Sequence, residues 1–443
     1  MEELIFRSCI TPSRGRKETV MVYVINKNGE PLMPTKRHGK VRHMLEDGRA
    51  VVVRRSPFTI RLTYDTTQFI QPVTLGVDAG SKHVGLAACT GQEELFCAEL
   101  QPRNDVVDLQ STRREFHRAR RNRKTRYRKP RFENRVHGKH KGWLAPSVEV
   151  KIHNHIQGIK FVLSILPISL VWVETAEFDL QLLKAMEEGK ELPEGEDYQH
   201  GEMYGYYNAK QYVLHRDRYT CQCCGAHPTE KHTVKLHVHH KESRKTGGNA
   251  PNNLITLCIG CHEKLHKGLI ELPDGKKKRG KRYGDAAFMG IMRKTLIQRL
   301  REQIAVPVQE TYGYITKAVR EEHDIRKTHT SDARCIARAP LAAAMDKHYL
   351  IKPVRRHNRQ IHKAKIYAGG YRKNNQAPKY VFGFRLFDMV DVCGKETGFV
   401  FGRRSSGSFD IRHLDGRKIS AGINFKKLQL LAHPDSLLIE QLI

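Results

Sequence analysis

No stretch of this 443-residue sequence is built to cross a bilayer. The apolar segment 161–173 falls well short of the roughly 20 residues that a membrane helix needs. The chain does not open on basic residues followed by an apolar run, so a secretory leader is not expected. Its ten cysteines lack the layout of a secreted disulfide scaffold: four form two close pairs and the others are scattered. That pattern favours bound metal in a reducing compartment, and a soluble cytoplasmic protein is the expectation. Acidic residues are also scarce, with 47 Asp and Glu against 78 Lys and Arg, a net charge of +31. Solubility does not require such an excess. It implies a polyanionic partner, because each phosphate contact releases counterions and steers association. Charge alone does not separate an enzyme from a ribosomal or chromatin-type protein. The 39% hydrophobic content supports real cores, and the length suits about three domains.

The most specific chemistry lies in residues 221–266. Cys221 and Cys224 form one C-x-x-C pair, and Cys258 and Cys261 form a second. This is the spacing of a structural four-cysteine zinc site, needed here because the segment has too little apolar content to fold unaided. A zinc ribbon alone has no use for the nearby His239, His240, His262 and His266. His262 and His266 stand at i and i+4 on one face of a short helix. On a strand, His239 and His240 point to opposite sides. His240 is the candidate general base, taking a proton from water that attacks a phosphodiester. His239 turns toward a second metal with His262 and His266, expected to be Mg2+. Asn253 either fixes the His240 tautomer or is a plain turn residue beside Asn252.

Residues 1–20 form a basic extension without sustained period. From Met21 to about Tyr64 the pattern is a small α+β unit: VYVIN a strand, GEPLMP a turn, KVRHMLEDGRA a helix stopped at Gly48, then one or two strands. About fifty residues is little for an independent core, so this unit should pack on its neighbour. Residues 73–88 read as a strand carrying Asp78, a turn at Gly80 and a second strand. Asp is depleted in strands, so Asp78 asks for a partner, a turn role or a metal. An amphipathic helix follows Pro146, then a buried strand ending in Glu174, and a short helix in LQLLKAMEE. Polar linkers at 189–205 and after His266 mark the cysteine segment as an insertion. A helix is expected over 286–309 and a strand over 312–316, with another helix starting near 315. His329 and Asp332, at i and i+3, share a face. Asp78, Glu174, His329 and Asp332 thus form a second set able to hold two divalent ions for in-line hydrolysis. The tail beyond about Tyr371 alternates apolar and polar residues between Gly turns, as in an antiparallel β domain or small barrel.

Between 103 and 131, twelve residues are Lys or Arg and three are acidic. Val106, Leu109 and Phe116 allow one narrow apolar stripe. Arg113, Arg114, Arg118, Arg120, Arg121, Arg123, Lys124, Arg126 and Arg128 surround it. A solvated charge run is the plain alternative, but the helical register favours an arginine helix held between nucleic-acid strands.

In this order the motifs resemble those of the IscB family, transposon-encoded RNA-guided endonucleases related to the ancestors of the large CRISPR effector nucleases. The resemblance runs from Met21 onward. PLMP at 31–34 resembles the family's name motif in its N-terminal domain. GVDAGSKHVG, WVETAEFD and HTSDARCIA resemble RuvC motifs I, II and III, and the arginine run resembles the bridge helix. Residues 221–266 resemble an inserted HNH domain. Lys241-Glu242-Ser243 departs from the usual residues after the HNH base, and Ala79 replaces the proline common after the first RuvC aspartate; neither removes a reacting group.

The resemblance implies a multidomain α/β and α+β protein. A split RNase H-like (RuvC) mixed sheet would carry an inserted ββα-metal HNH domain and a C-terminal β-rich domain. The implied divisions are an extension (1–20), PLMP domain (21–70), RuvC-I (71–102), bridge helix (103–131), RuvC-II (132–205), HNH (206–272), RuvC-III (273–370) and a β domain reading a motif beside the target (371–443). It implies Mg2+ at both nuclease sites, with Asp78, Glu174, His329 and Asp332 as the RuvC set. At HNH it assigns His240 as base, Asn253 as the conserved asparagine, and His239, His262 and His266 as metal positions. Zn2+ would sit on the four cysteines. HNH would cut the guide-paired strand and RuvC the displaced strand. The partners would be a large structured guide (omega) RNA, one chain per RNA, and duplex DNA with a flanking motif, in a prokaryotic cytoplasm. The rivals are a guide-independent HNH/RuvC nuclease and a catalytically silent RNA-binding protein. Guide sequence and flanking motif are not encoded in legible form, because base pairing carries specificity.

Overall fold

The computed structural model describes residues 21–67, 69–121, 142–175, 206, 209–229, 232–241, 253–272, 284–355 and 378–442. The extension 1–20, the LQLLKAMEE helix, the 189–205 linker and basic residues Arg123, Lys124, Arg126 and Arg128 lie outside them. The chain divides into two compact units, 1–179 with 288–443, and 180–287. The cysteine and histidine segment therefore interrupts the sequence of the larger unit.

The larger unit opens with β1 (Val22–Ile25), β2 (Pro31–Thr35), α1 (His38–Glu46), β3 (Ala50–Arg54) and β4 (Thr59–Leu62), in sheet order β2-β1-β4-β3. Val41 and Met44, one turn apart on α1, bury against Val22, Val24, Phe58 and Ile60. PLMP is an edge strand rather than the expected turn. Prolines lack the N–H for a ladder bond and are tolerated at an edge, and the turn sits earlier, where Gly29 N donates to Asn26 O. This small sheet packs on its neighbour: Tyr23 Oη donates to Leu95 O at 2.9 Å, and its ring meets Phe96 edge-on.

The next elements are β5 (Val73–Ala79), β6 (Val84–Cys89), β7 (Glu94–Leu100), α2 (Val106–Arg121), α3 (Pro146–Leu163) and β8 (Ile168–Thr175). β5 to β7 form an antiparallel meander, and β8 runs parallel to β5 with Val77 opposite Val173. On α2, Val106, Leu109, Thr112 and Phe116 are half-buried while Arg113, Arg114 and Arg118 are exposed. The narrow stripe is thus present, and the helix carries its charge outward.

The inserted unit holds α4 (Ala209–Arg216), β9 (Leu236–His240), β10 (Leu254–Cys258) and α5 (Ile259–His266). β9 and β10 pair antiparallel with His240 opposite Leu254, and α5 follows directly. Asp217, just after α4, accepts from Thr256 N, and Arg216 donates to Leu254 O. These bonds tie the entering helix to β10. The small core is Cys221, Ile255, Leu257 and Cys261.

The chain then forms α6 (Gly284–Gln303), β11 (Val308–Tyr312), α7 (Gly313–Glu322), α8 (His329–Ile336) and β12 (Tyr349–Pro353). The expected helix over 286–309 stops at Gln303 and the strand falls at Val308–Tyr312, before the expected 312–316. Pro307 drives its predecessor out of the helical region, and the residues after it pair in parallel with β8. The sheet order becomes β11-β8-β5-β6-β7-β12.

β13 (Met389–Val392), β14 (Glu396–Arg403), β15 (Ser408–Arg412), β16 (Lys418–Asn424) and β17 (Leu428–Ala432) make an antiparallel sheet around Val390, Val400, Phe409 and Ile411. Its order, β16-β15-β14-β13-β17, is open among the described residues rather than a barrel. The last strand, β18 (Leu437–Gln441), leaves it and pairs with β12, completing a seven-stranded mixed sheet. Among the described residues no helix is long and apolar enough to cross a membrane.

Candidate metal centres

Cys221 and Cys224 precede β9, Cys258 ends β10, and Cys261 lies in the first turn of α5. Their four Sγ atoms lie within 4.8 Å of one another. Cys224 Sγ and Cys258 Sγ are 3.7 Å apart. Tetrahedral zinc with Zn–S bonds of about 2.3 Å requires sulfurs about 3.8 Å apart, so the donors fit that ion. Cys261 N donates to Cys258 Sγ, the kind of N–H contact that favours a thiolate. Burial works to raise the Cys221 thiol, yet backbone donors around it bring it down to about 7.

The second cluster is His239, His262 and His266, again within 4.8 Å. His262 Nε2 and His266 Nε2 are 3.3 Å apart, and the His239 ring lies 5.1 and 5.2 Å from theirs. Burial, then the neighbouring imidazoles, lower the His239 and His262 pKa values, which keeps both rings neutral as metal ligation requires. The magnesium expected here does not suit this set. Mg2+ demands hard oxygen ligands, whereas three imidazoles, joined by no carboxylate among the described residues, suit a borderline transition ion such as Zn2+, Co2+ or Ni2+. His237 was missed by sequence reasoning: its ring is 5.5 Å from that of His262. The signal was its period-2 spacing from His239 on β9. His240 takes the opposite parity. Lys241 N donates to Asn253 O, so the buried Asn253 adjoins the end of the His240 strand.

The third group lies in the larger unit. Asp78 and Glu174 each follow the paired residues Val77 and Val173, so they end neighbouring parallel strands on one face. α8 brings the other two residues. It lies close enough because β5 and β6 carry glycines beneath it: a Cβ at Gly76 would be 1.9 Å from Ala333 O, and one at Gly85 1.9 Å from His329 O. Thr328 caps α8 by accepting from Ser331 N.

Each carboxylate has a protein partner. His329 Nδ1 is 2.6 Å from Asp78 Oδ2. Thr316 donates to Glu174 Oε2 at 2.5 Å. Arg320 Nε lies 3.1 Å from Asp332 Oδ1 as an ion pair, although neither atom meets hydrogen-bond geometry. Among the described residues these carboxylates do not gather as tightly as the cysteines or histidines. Burial, followed by the charges of Asp78 and Asp332 and opposed by Thr316, pushes Glu174 up to about 7. Burial and Asp78 also raise Asp332, while the bond to Asp78 raises His329. Crowded anionic oxygens of this kind fit a hard divalent cation such as Mg2+. Thr316, Arg320, His83 and Glu99 were not legible as site residues. His83 stacks on His329 and its Nδ1 is 2.8 Å from Glu99 Oε1.

Of the basic residues, Arg113, Arg114 and Arg118 are exposed on α2, and Arg120 and Arg121 fall on its last turn.

An endonuclease-type segment and two clusters of metal-ligating side chains together support a metal-dependent nuclease capable of cleaving DNA. Residues 221–268 match the HNH endonuclease family, and residues 22–201 match the RRXRR protein family. No curated protein matches the chain. Among solved structures it is similar to Streptococcus thermophilus Cas9 in complex with the GGAA PAM, at 14% identity and a TM-score of 0.27. That match spans 43% of this chain and 26% of the other, and at this level it does not bear on the fold.

Proposed function

We propose that this chain is an IscB-like RNA-guided DNA endonuclease whose HNH site cuts the guide-paired strand and whose RuvC site cuts the displaced strand. The observation that carries this reading is a histidine cluster in a unit inserted in the sequence of a larger one, which itself brings Asp78 to His329 and Glu174 to Thr316. A single hydrolytic reaction needs only one such group. The mixed sheet with Asp78 and Glu174 at adjacent strand ends, and Asp332 on a helix packed over it, supports a ribonuclease H-like RuvC fold. The net charge of +31 and the arginines of α2 support an RNA partner large enough to offset them.

In the inserted unit, His240 takes the proton from the attacking water. Asn253 steadies the end of that strand, and the four cysteines hold the unit together around zinc. In the larger unit, Asp78, Glu174 and Asp332 would hold Mg2+, which when bound supplies positive charge to the attacking and leaving oxygens. His329, held by Asp78, stands beside them to hold or pass a proton.

The test is strand-resolved cleavage with the RNA that copurifies. His240→Ala should abolish cutting of the guide-paired strand alone, and Asp78→Ala cutting of the displaced strand alone. Equal loss of both cuts from either substitution overturns the strand assignment. A preparation without a long uniform RNA that still cuts favours the guide-independent nuclease.

A further inference from the structure

Tyr314 is 56% exposed at the start of α7, and its ring stacks on that of Tyr312, with centroids 6.2 Å apart and planes 9° from parallel. Single exposed apolar residues are ordinary on protein surfaces. This one differs by its position. Gly313 separates the two tyrosines, and a Cβ there would sit 3.2 Å from Glu174 Oε1. Thr316, one turn further on, donates to the other oxygen of the same carboxylate. The tyrosines therefore flank the backbone that abuts Glu174. Lys327, two residues before His329, is exposed.

We infer that Tyr314, backed by Tyr312, is a stacking platform for one unpaired nucleobase of the strand presented to the carboxylate site. Aromatic side chains bind single strands because every base offers a π-face, whatever its sequence. A base inside a duplex has both faces covered by its neighbours, so the platform selects a single strand. This inference rests on the reading of Glu174 as part of a nuclease site. It adds that the site grips its substrate by a base as well as by phosphates.

The test uses the full chain with its copurified RNA and the Asp78→Ala and His240→Ala substitutions, which together block both proposed cuts. The probe is a single-stranded DNA oligonucleotide carrying 2-aminopurine, whose fluorescence is quenched on stacking. Binding should quench it. Adding Tyr314→Ala should remove the quench and weaken binding about tenfold, whereas Tyr314→Phe and Tyr314→Trp should preserve both. Equal melting temperatures and zinc contents establish that the variants are folded. Unchanged quenching and affinity in Tyr314→Ala overturns the platform, as does a loss in Tyr314→Phe as large as in Tyr314→Ala. Cleavage is measured separately on the chain with Asp78 and His240 intact. If that chain cuts no DNA while the Tyr314-dependent quench persists, the platform stands and the nuclease reading falls.

Discussion

The imidazole of His83 stacks on that of His329, with centroids 5.3 Å apart and planes 7° from parallel. His83 is in turn held by Glu99, which also accepts from Gln101 Nε2. His329 is thus fixed from two directions, by Asp78 at its Nδ1 and by a ring against its face. His83→Ala should lower the rate at the carboxylate site by roughly tenfold through misorientation, leaving the His240-dependent cut unchanged. His83→Phe, which keeps a flat ring, should recover most of the rate. Strand-resolved kinetics decide this, and equal rates for His83→Ala and the parent dispose of it.

The close approach of α8 to the sheet makes a separate prediction. At Gly85 a methyl group would meet His329 O at 1.9 Å, and backbone cannot swing aside as a side chain can. Gly85→Ala should cost about 1–3 kcal/mol from overpacking and displace His329 and Asp332. The expected outcome is a lower melting temperature together with weaker Mn2+ binding. A variant that melts and binds like the parent would show that the helix has room to spare.

Removing zinc should unfold the inserted unit, because its small core includes two of the ligands, Cys221 and Cys261. Structural zinc in small domains contributes on the order of 10–16 kcal/mol. Cys258→Ser should lose bound zinc, measured by elemental analysis, and should open residues 209–272 to hydrogen exchange. A zinc content equal to that of the parent chain would contradict the four-cysteine assignment.

The three-imidazole cluster should prefer Co2+, Ni2+ or Zn2+ to Mg2+. In Co2+ titrations followed by absorbance, His266→Ala should weaken the site about tenfold or more, and millimolar-range Mg2+ should not displace the ion. Displacement by Mg2+ would restore the magnesium assignment.

One pH dependence follows from the junction between the seven-stranded and five-stranded sheets of the larger unit. His413 Nδ1 is 2.6 Å from Glu440 Oε1 on β18, and its Nε2 is 2.7 Å from Glu396 Oε1 on β14. Burial alone would lower the His413 pKa, but the bonds to Glu440 and Glu396 outweigh it and leave the value raised. The folded state therefore binds the proton more tightly than the unfolded chain. Its stabilisation is full below the unfolded value of about 6.5 and is lost as pH rises through the folded value. His413→Gln should lower the melting temperature most near about pH 5.5 and progressively less toward about pH 9. A deficit that grows with pH would refute the pairing.

Legibility in the sequence followed sequence separation. The C-x-x-C pairs, the i and i+4 histidines of α5 and the opposite parity of His239 and His240 are short-range features. Helix and strand periods alone convert such spacings into shared faces. Pro307 was legible too, yet its weight against the helix expected over 286–309 was felt only when the following residues paired with β8. The turn expected at PLMP was overridden because an open sheet edge accepts prolines that a central strand would reject.

By itself the sequence determined the donor types, their grouping into a sulfur set, a nitrogen set and an oxygen set, and a net charge of +31. Tertiary structure alone decided which groups touch. Asp78 meets His329 across 251 positions and Glu174 meets Thr316 across 142. The first contact depends on two glycines that admit α8, and the second on parallel pairing of β8 with β11, which leads into α7. No local period encodes such pairings, because their cost and reward arise only when distant segments close on a common core.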